Sequence, residues 1–164
     1  MRRALCVVAA VFNLLLVDAV AKELAAGYLR GSPPVPVIDG FFNLAYVENR
    51  GCAWGMFQGQ VWPLALFGFA ALVFLVLKRR TFFPPYPGSK AKSMLSASAE
   101  VLLYAGIVGN MIDRLLRGYV IDFLDFHWRD AWHFPCFNVA DSCITVAAAI
   151  LVALSFAGEG KGRS

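Results

Sequence analysis

The sequence is poor in charge. Charged residues make up 16% of its 164 residues, whereas a typical soluble domain carries about 25%. Hydrophobic residues make up 59% of the chain and the mean hydropathy is +0.62. This balance excludes an ordinary soluble domain and favours an integral membrane protein.

Residues that bind metals are also scarce. The two histidines, His127 and His133, flank tryptophans and do not have the HExxH spacing, and the four cysteines show no CxxC spacing. We therefore expect no metal cofactor, and we place both histidines at the membrane interface. The sequence does not decide whether Cys52 and Cys136 form a disulfide bond.

Internal repeats and long disordered tails are absent as well, and the length suits one domain. We expect a single integral-membrane domain over residues 1–164. Four apolar stretches approach the length that crosses a bilayer, at about residues 4–21, 61–77, 94–112 and 139–157.

Two of these stretches contain an acidic residue that needs an explanation. The first resembles a secretory signal peptide, but Asp18 puts a charge at the end of its apolar core, so we expect a retained span. Glu100 lies near the inner end of the third stretch, where we expect its side chain to snorkel toward the loop.

The basic residues indicate the orientation. Nine of the fifteen lie before the first span, between the second and third, or after the fourth. By the positive-inside rule these segments are cytoplasmic, so both termini are cytoplasmic. Segments 22–60 and 113–138 then lie on the outer side. They hold three of the four tryptophans, and the fourth, Trp62, is the second residue of the second span.

Polar residues converge near that outer side from separate parts of the chain. Asp18 lies fifteen residues beyond Arg3, roughly 22 Å along a helix, in the outer third of a bilayer core about 30 Å thick. At the same level we place Asn49, Arg50, Gly51, Asn110, Asp113 and Asp141. Ionisable groups at this depth indicate function.

Several of these groups also have purely structural interpretations. Asp18 and Lys22 have the i, i+4 spacing of a helical ion pair. Asp113 and Arg114 could mark the membrane edge. Asp141 would occupy the acidic position of a capping box if Asn138 caps the fourth span.

Capping does not explain Asp122, which lies in an alternating, strand-like segment that puts it on one face with Val120, Leu124 and Phe126. A carboxylate on an apolar face needs a partner, and Asp141 is the candidate in the same layer. Two adjacent carboxyls share one proton, and such a pair can activate water and protonate a carbonyl oxygen. A small transporter or proton relay and a non-catalytic membrane anchor are the alternatives.

Four motifs in these regions resemble the lipoprotein signal peptidase (signal peptidase II) family, bacterial intramembrane aspartic proteases. They are Asp18-x-x-x-Lys22, Asn49-x-Gly51-x-Ala53-x-Gly55, Gly109-Asn110-x-x-Asp113-Arg114 with Gly118-x-Val120-x-Asp122-Phe123, and Phe137-Asn138-x-Ala140-Asp141-Ser142. The match spans nearly the whole chain. Trp54 departs from the Phe that we expect in the second motif.

The resemblance implies a four-helix membrane fold with a small extracytoplasmic β-sheet, here with strands near 40–47 and 119–126. It implies that Asp122 and Asp141 are the catalytic dyad and that nine residues bind substrate or support the site: Asp18, Lys22, Asn49, Gly51, Asn110, Asp113, Arg114, Asn138 and Ala140. The implied substrate is a prolipoprotein cut just before its diacylglyceryl-modified cysteine. The implied location is the bacterial inner membrane, with the active site at the periplasmic face. We expect a monomer that contacts membrane lipids and no nucleic acid.

Overall fold

The computed structural model describes residues 2–129 and 131–159. Lys161 and Arg163, which support the predicted orientation, lie outside the described residues. In chain order the elements are α1 (Arg2–Leu29), β1 (Val35–Ile38), β2 (Phe42–Asn49), a 3₁₀ turn (Ala53–Gly55), α2 (Val61–Leu77), α3 (Arg79–Phe82), α4 (Lys90–Arg117), β3 (Val120–Trp128), β4 (Trp132–His133) and α5 (Val139–Glu159).

Helix α4 is the centre of the helical bundle. It packs against α1, α2 and α5, and 44% of its most apolar stretch is buried, against 6% for α1 and 22% for α5. The hydroxyl of Ser89 accepts a hydrogen bond from the Lys92 amide at 3.3 Å and caps the start of α4. Gly118 ends the helix with a φ of 76°, a conformation that glycine adopts without strain.

All four predicted apolar stretches are helical. Within the described residues, α1, α4 and α5 are long and apolar enough to cross a membrane, and α2 is a shorter apolar helix of 17 residues. Large apolar side chains on these helices are exposed; Leu5 and Phe67, for example, are each 73% exposed. Such apolar surfaces fit a lipid environment. Helices are suited to it as well, because a helix satisfies its own backbone hydrogen bonds.

The four strands form one antiparallel sheet in the order β1-β2-β3-β4. The sequence predicted two of them, near 40–47 and 119–126. Strand β2 begins at Phe42 and not at residue 40, because Gly40 lies in the turn after β1 with a φ of 69°. Strands β1 and β4 were not predicted.

Two irregularities shape the middle of the sheet. On β2 the register slips, because Leu44 pairs with Leu124 while Val47 pairs with Asp122. On β3 the amides of Phe123 and Leu124 both donate to the Phe137 carbonyl, at 3.0 and 2.9 Å, which is the pattern of a β-bulge.

The bulge in β3 changes the predicted alternation of side chains between the two faces of the strand. Leu124 packs against the buried cluster of Ala25, Leu29, Ile121 and Phe123, whereas the sequence placed Leu124 on the face of Asp122. An extra residue in a strand breaks the two-residue period on which that prediction rested.

The connection between α2 and α4 packs against the helical bundle. Phe83 is 1% exposed and packs with Ala99 of α4 and Ala147 of α5. Glu100 is fully buried and forms an ion pair with Arg79. The expectation that Glu100 snorkels to the loop is therefore wrong, because the arginine reaches in to the carboxylate.

Close contact between α4 and α5 generates a prediction. A Cβ atom on Gly106 would lie 2.5 Å from the Ala140 carbonyl oxygen and 2.6 Å from a side-chain carbon of Ile144. We expect Gly106→Ala to destabilise the fold by about 1–3 kcal/mol, because the two helices must separate. Thermal unfolding in detergent micelles measures the effect.

Gly68→Ala is the matched control, because a Cβ there meets Ile107 at an ordinary 3.8 Å. Its unfolding temperature should stay the same or rise, since alanine favours helix. Equal unfolding temperatures for the two variants would contradict the close helix contact.

Candidate active site

Asp122 is buried on β3, with 1% of its surface exposed. Its two carboxylate oxygens accept hydrogen bonds from side-chain amides, Asn49 Nδ2 at 2.9 Å and Asn138 Nδ2 at 2.7 Å. Asn49 is placed for this contact by the sheet, since it pairs with Val120 and lies diagonal to Asp122.

Asp141 lies in the first turn of α5 and takes part in the predicted capping box. Its amide donates to Asn138 Oδ1 at 2.9 Å, and the Asn138 amide donates to Asp141 Oδ2 at 3.3 Å. The other oxygen, Oδ1, accepts from Asn110 Nδ2 at 2.6 Å. The capping interpretation is confirmed, and it leaves Asp141 on the wall of a cleft.

Asn138 joins the two acids. It is fully buried, and its Nδ2 group contacts Asp122 and also the side-chain oxygen of Asn110, at 3.2 Å. Since its backbone amide and side-chain oxygen contact Asp141, one residue holds both carboxyls. The structure thus brings Asp122 and Asp141 into one hydrogen-bonded layer.

Burial and, second to it, the nearby charge of Asp141 raise the pKa of Asp122 to about 7, although hydrogen bonds from the two asparagine amides oppose the shift. Near neutral pH the carboxyl of Asp122 therefore holds a proton for much of the time. Burial also raises the pKa of the neighbouring Cys136 thiol, to about 12. That thiol is therefore protonated near neutral pH and does not act as a thiolate nucleophile.

Lys22 connects α1 to this hydrogen-bonded layer. Its ammonium is 1% exposed and lies 2.7 Å from Asp18, 2.9 Å from Asp113 and 3.3 Å from Asn110 Oδ1. The predicted Asp18–Lys22 ion pair is therefore confirmed, within a larger network. Asp113 also binds Arg117 and accepts from the Ile121 amide at the start of β3.

Asp18 reaches α5 as well. Its Oδ1 accepts a hydrogen bond from the Ala140 amide at 2.9 Å, which gives Ala140 its place in the site. Gly109 is part of the third motif, and the sequence predicted no role for it. A Cβ there would lie 2.8 Å from Asp18 Oδ2, so the glycine leaves the space that the carboxylate occupies.

Arg114 docks the loop before α2. It donates to the Gly51 carbonyl at 3.0 Å and to the Asn110 carbonyl at 3.3 Å. The Gly51 amide donates to Asn49 Oδ1 at 2.9 Å, and a Cβ on Gly51 would lie 2.4 Å from the Met56 carbonyl oxygen. Asp113 and Arg114, which the sequence allowed as markers of the membrane edge, both have internal contacts.

Two open spaces meet at Asp141. A cleft of about 610 Å³ lies between α4, α5 and the segment after β4. An apolar groove of about 860 Å³ runs between α2 and α4. Both are lined by Asn110, Arg114, Asp141, Ile144 and Cys52. Cys52 and Cys136 do not form a disulfide bond with each other.

A family profile described as signal peptidase (SPase) II matches residues 10–157. The chain belongs to the signal peptidase II family. It is therefore a membrane-associated protease, and the resemblance read from its four motifs is confirmed.

Relatives and solved structures agree with this membership. Proteins named lipoprotein signal peptidase are 41% identical in Paraburkholderia phymatum, over 89% of this chain and 81% of that protein, and 39% identical in Fusobacterium nucleatum, over 85% and 79%. A solved bacterial membrane enzyme is 28% identical with a TM-score of 0.76, over 97% of this chain and 92% of the other. The helices and the small sheet therefore form a known membrane-enzyme fold.

The burial of Lys22 generates a prediction. Lys22→Met leaves Asp18 buried without its cation and leaves Asp113 with Arg117 as its remaining cation, so we expect a loss of about 3–5 kcal/mol of stability. Chemical or thermal unfolding in micelles checks it. Arg30→Met is the control, because Arg30 is 61% exposed in its pair with Glu48 and should cost under about 1 kcal/mol.

A compensated variant tests the cause. Adding Asp18→Asn and Asp113→Asn to Lys22→Met should restore part of the lost stability, since no buried charge is then unpaired. A compensated variant no more stable than Lys22→Met would reject charge pairing as the reason.

Proposed function

We propose that Asp122 and Asp141 are the catalytic dyad with which this chain removes signal peptides from prolipoproteins. The observation that carries the proposal is that one buried residue, Asn138, holds both carboxyls beside an open cleft. Membership of the signal peptidase II family supplies the reaction, and two carboxyls sharing a proton are suited to it.

The substrate we propose is a prolipoprotein whose cysteine already carries diacylglycerol, cut just before that cysteine. The groove between α2 and α4 supports this choice, because its lining is mostly apolar and includes Asp141. Acyl chains can lie in such a groove while the peptide bond enters the cleft. One chain contains the complete dyad, so a monomer suffices, with membrane lipids as its other contacts.

In the proposed reaction the carboxylate of Asp141 takes a proton from a water molecule, and the water oxygen attacks the scissile carbonyl carbon. Asp122 donates its proton to the carbonyl oxygen, which gives a neutral tetrahedral intermediate. The intermediate then collapses: Asp122 regains the proton from the hydroxyl, and Asp141 passes its proton to the leaving amine. Both acids return to their starting states.

The resting proton is assigned to Asp122 and the negative charge to Asp141. The N-terminus of α5 and the hydrogen bonds from Asn110 and Asn138 favour a carboxylate at Asp141. Burial in β3 favours the neutral acid at Asp122. The remaining site residues position these two acids. Lys22, Asp18 and Asp113 form the ion-pair network next to them, and Arg114 and Gly51 lie at the cleft.

We predict that Asp122→Asn and Asp141→Asn each abolish cleavage of a lipidated prolipoprotein, by several orders of magnitude in rate, while the protein stays folded. An in vitro cleavage assay measures the loss. Asp39→Asn is the control, because Asp39 is exposed in the turn after β1. A single dyad variant that kept a tenth of the wild-type rate would contradict the assignment and favour a non-catalytic role.

A second prediction locates the proton. The pKa of Asp122 in the folded protein, about 7, exceeds the ordinary aspartate pKa of 3.8. The stabilisation from its proton is therefore complete below about pH 4 and lost as the pH rises through about 7. Wild type should become less stable relative to Asp122→Asn over this window, as measured by unfolding temperatures at each pH.

Infrared difference spectra near pH 6 provide the direct measurement. The band of a protonated carboxyl should vanish in Asp122→Asn and persist in Asp141→Asn. The opposite pattern would assign the proton to Asp141 and leave the dyad itself intact.

The membrane arrangement we propose has four spans in one domain over residues 1–164. Both termini are cytoplasmic, and the dyad lies at the periplasmic face of the bacterial inner membrane. Three long apolar helices and the shorter α2 support the count, and the clustered basic residues support the orientation.

Reporter fusions test this orientation. A reporter after Arg80 should give a cytoplasmic signal, and reporters after Gln58 or Arg129 should give external signals. An external signal from the loop between α2 and α4 would reverse the orientation and put the dyad on the wrong side for secreted prolipoproteins.

A further inference from the structure

A second group of polar side chains lies on β3 and β4, apart from the dyad network. Asp125 and His127 are two residues apart on β3, and His133 on β4 pairs directly with His127. Their potential ligand atoms all lie within 4.8 Å of one another. Each histidine presents its Nδ1 atom 3.9 Å from a different oxygen of Asp125.

The buried nitrogen of His127 has no partner. His127 is 8% exposed, and its Nδ1 atom is buried without a hydrogen bond. No other buried side-chain nitrogen or oxygen among the described residues lacks one. Buried polar atoms are nearly always satisfied, so this atom calls for a partner. At 3.9 Å the Asp125 oxygen is too distant to be a hydrogen-bond acceptor.

The donor set suits a transition metal. Two imidazole nitrogens and one carboxylate oxygen are ligands of Zn²⁺ and related ions, with a further position left for water. Metal bonds of about 2.0–2.1 Å put tetrahedral donor atoms roughly 3.4 Å apart. The two histidine–aspartate separations of 3.9 Å therefore need to contract by about half an ångström, and the two histidine ligand atoms, which lie within 4.8 Å of each other, by at most about 1.4 Å.

The surrounding contacts favour such a contraction. Asn43 on β2 donates to Asp125 Oδ2 at 3.1 Å, which orients the carboxylate as an outer-shell partner does in metal sites. The two imidazole rings now stack at 5.2 Å and 13°, so one ring must turn for both lone pairs to converge. His133 is free to turn, because its side chain is 62% exposed.

We propose that Asp125, His127 and His133 bind one divalent transition-metal ion of the zinc class. The sequence predicted no metal because the two histidines lack the spacing of a helical motif, whereas these ligands come together through cross-strand pairing. His133 and Asp122 line one small pocket of about 330 Å³. The ion would thus fix β4 at the edge of the cleft, independently of which residues perform catalysis.

The test uses the untagged, full-length protein in detergent micelles, because a polyhistidine tag would itself bind zinc. Calorimetric titration with Zn²⁺ should show one site per chain, and Co²⁺ should give the absorption of a site with nitrogen and oxygen ligands. His133→Ala and Asp125→Asn should each weaken Zn²⁺ binding at least tenfold. His133 is the main test position, because its exposure makes its replacement compatible with folding.

Three controls separate this site from others. Asp39→Asn, Asp122→Asn and the double variant Cys52→Ser with Cys136→Ser should all keep the wild-type affinity. Zn²⁺ should raise the unfolding temperature of the wild type but not that of His133→Ala. The proposal is overturned if the wild type binds no Zn²⁺ below millimolar concentration, or if His133→Ala binds as tightly as the wild type.

Discussion

The structure depends on one buried cation. Lys22 lies among Asp18, Asp113 and Asn110 at 1% exposure, so its full set of partners is present only when α1 and α4 are in register. Asp18 extends the same network to the Ala140 amide of α5. A charge removed from water is tolerated only with its partners in place, and this requirement fixes three helices relative to one another.

The acids of the site are placed by that frame through asparagine side chains. Asn110 links Lys22 to Asp141, and Asn138 links Asp141 to Asp122. Asparagine amides both donate and accept without adding charge. They can therefore hold two carboxyls close together while leaving their proton free to be shared.

The sequence predicted the parts of the fold that follow from local patterns. Helix α2 coincides with its apolar run at residues 61–77, and the capping box at Asn138 and Asp141 depends on residues three apart. Contacts between distant segments of the chain could not be predicted from the sequence. Neither the pairing of Glu100 with Arg79 nor the internal role of Asp113 has a local signature, and the bulge at Phe123 and Leu124 depends on the carbonyl of Phe137. Strand β1 is exposed and β4 has two residues, so neither shows a hydrophobic alternation.

The Asp18–Lys22 pair also has a consequence for biosynthesis. Asn110 follows Lys22 by 88 residues, so at roughly 5–20 residues per second the ribosome makes it about 4–18 s later. During that interval the newly made first helix is without α4, and its lysine and aspartate have only each other. Their i, i+4 spacing lets them neutralise one another in the nascent helix, which allows the segment to wait in the bilayer until the rest of the chain arrives.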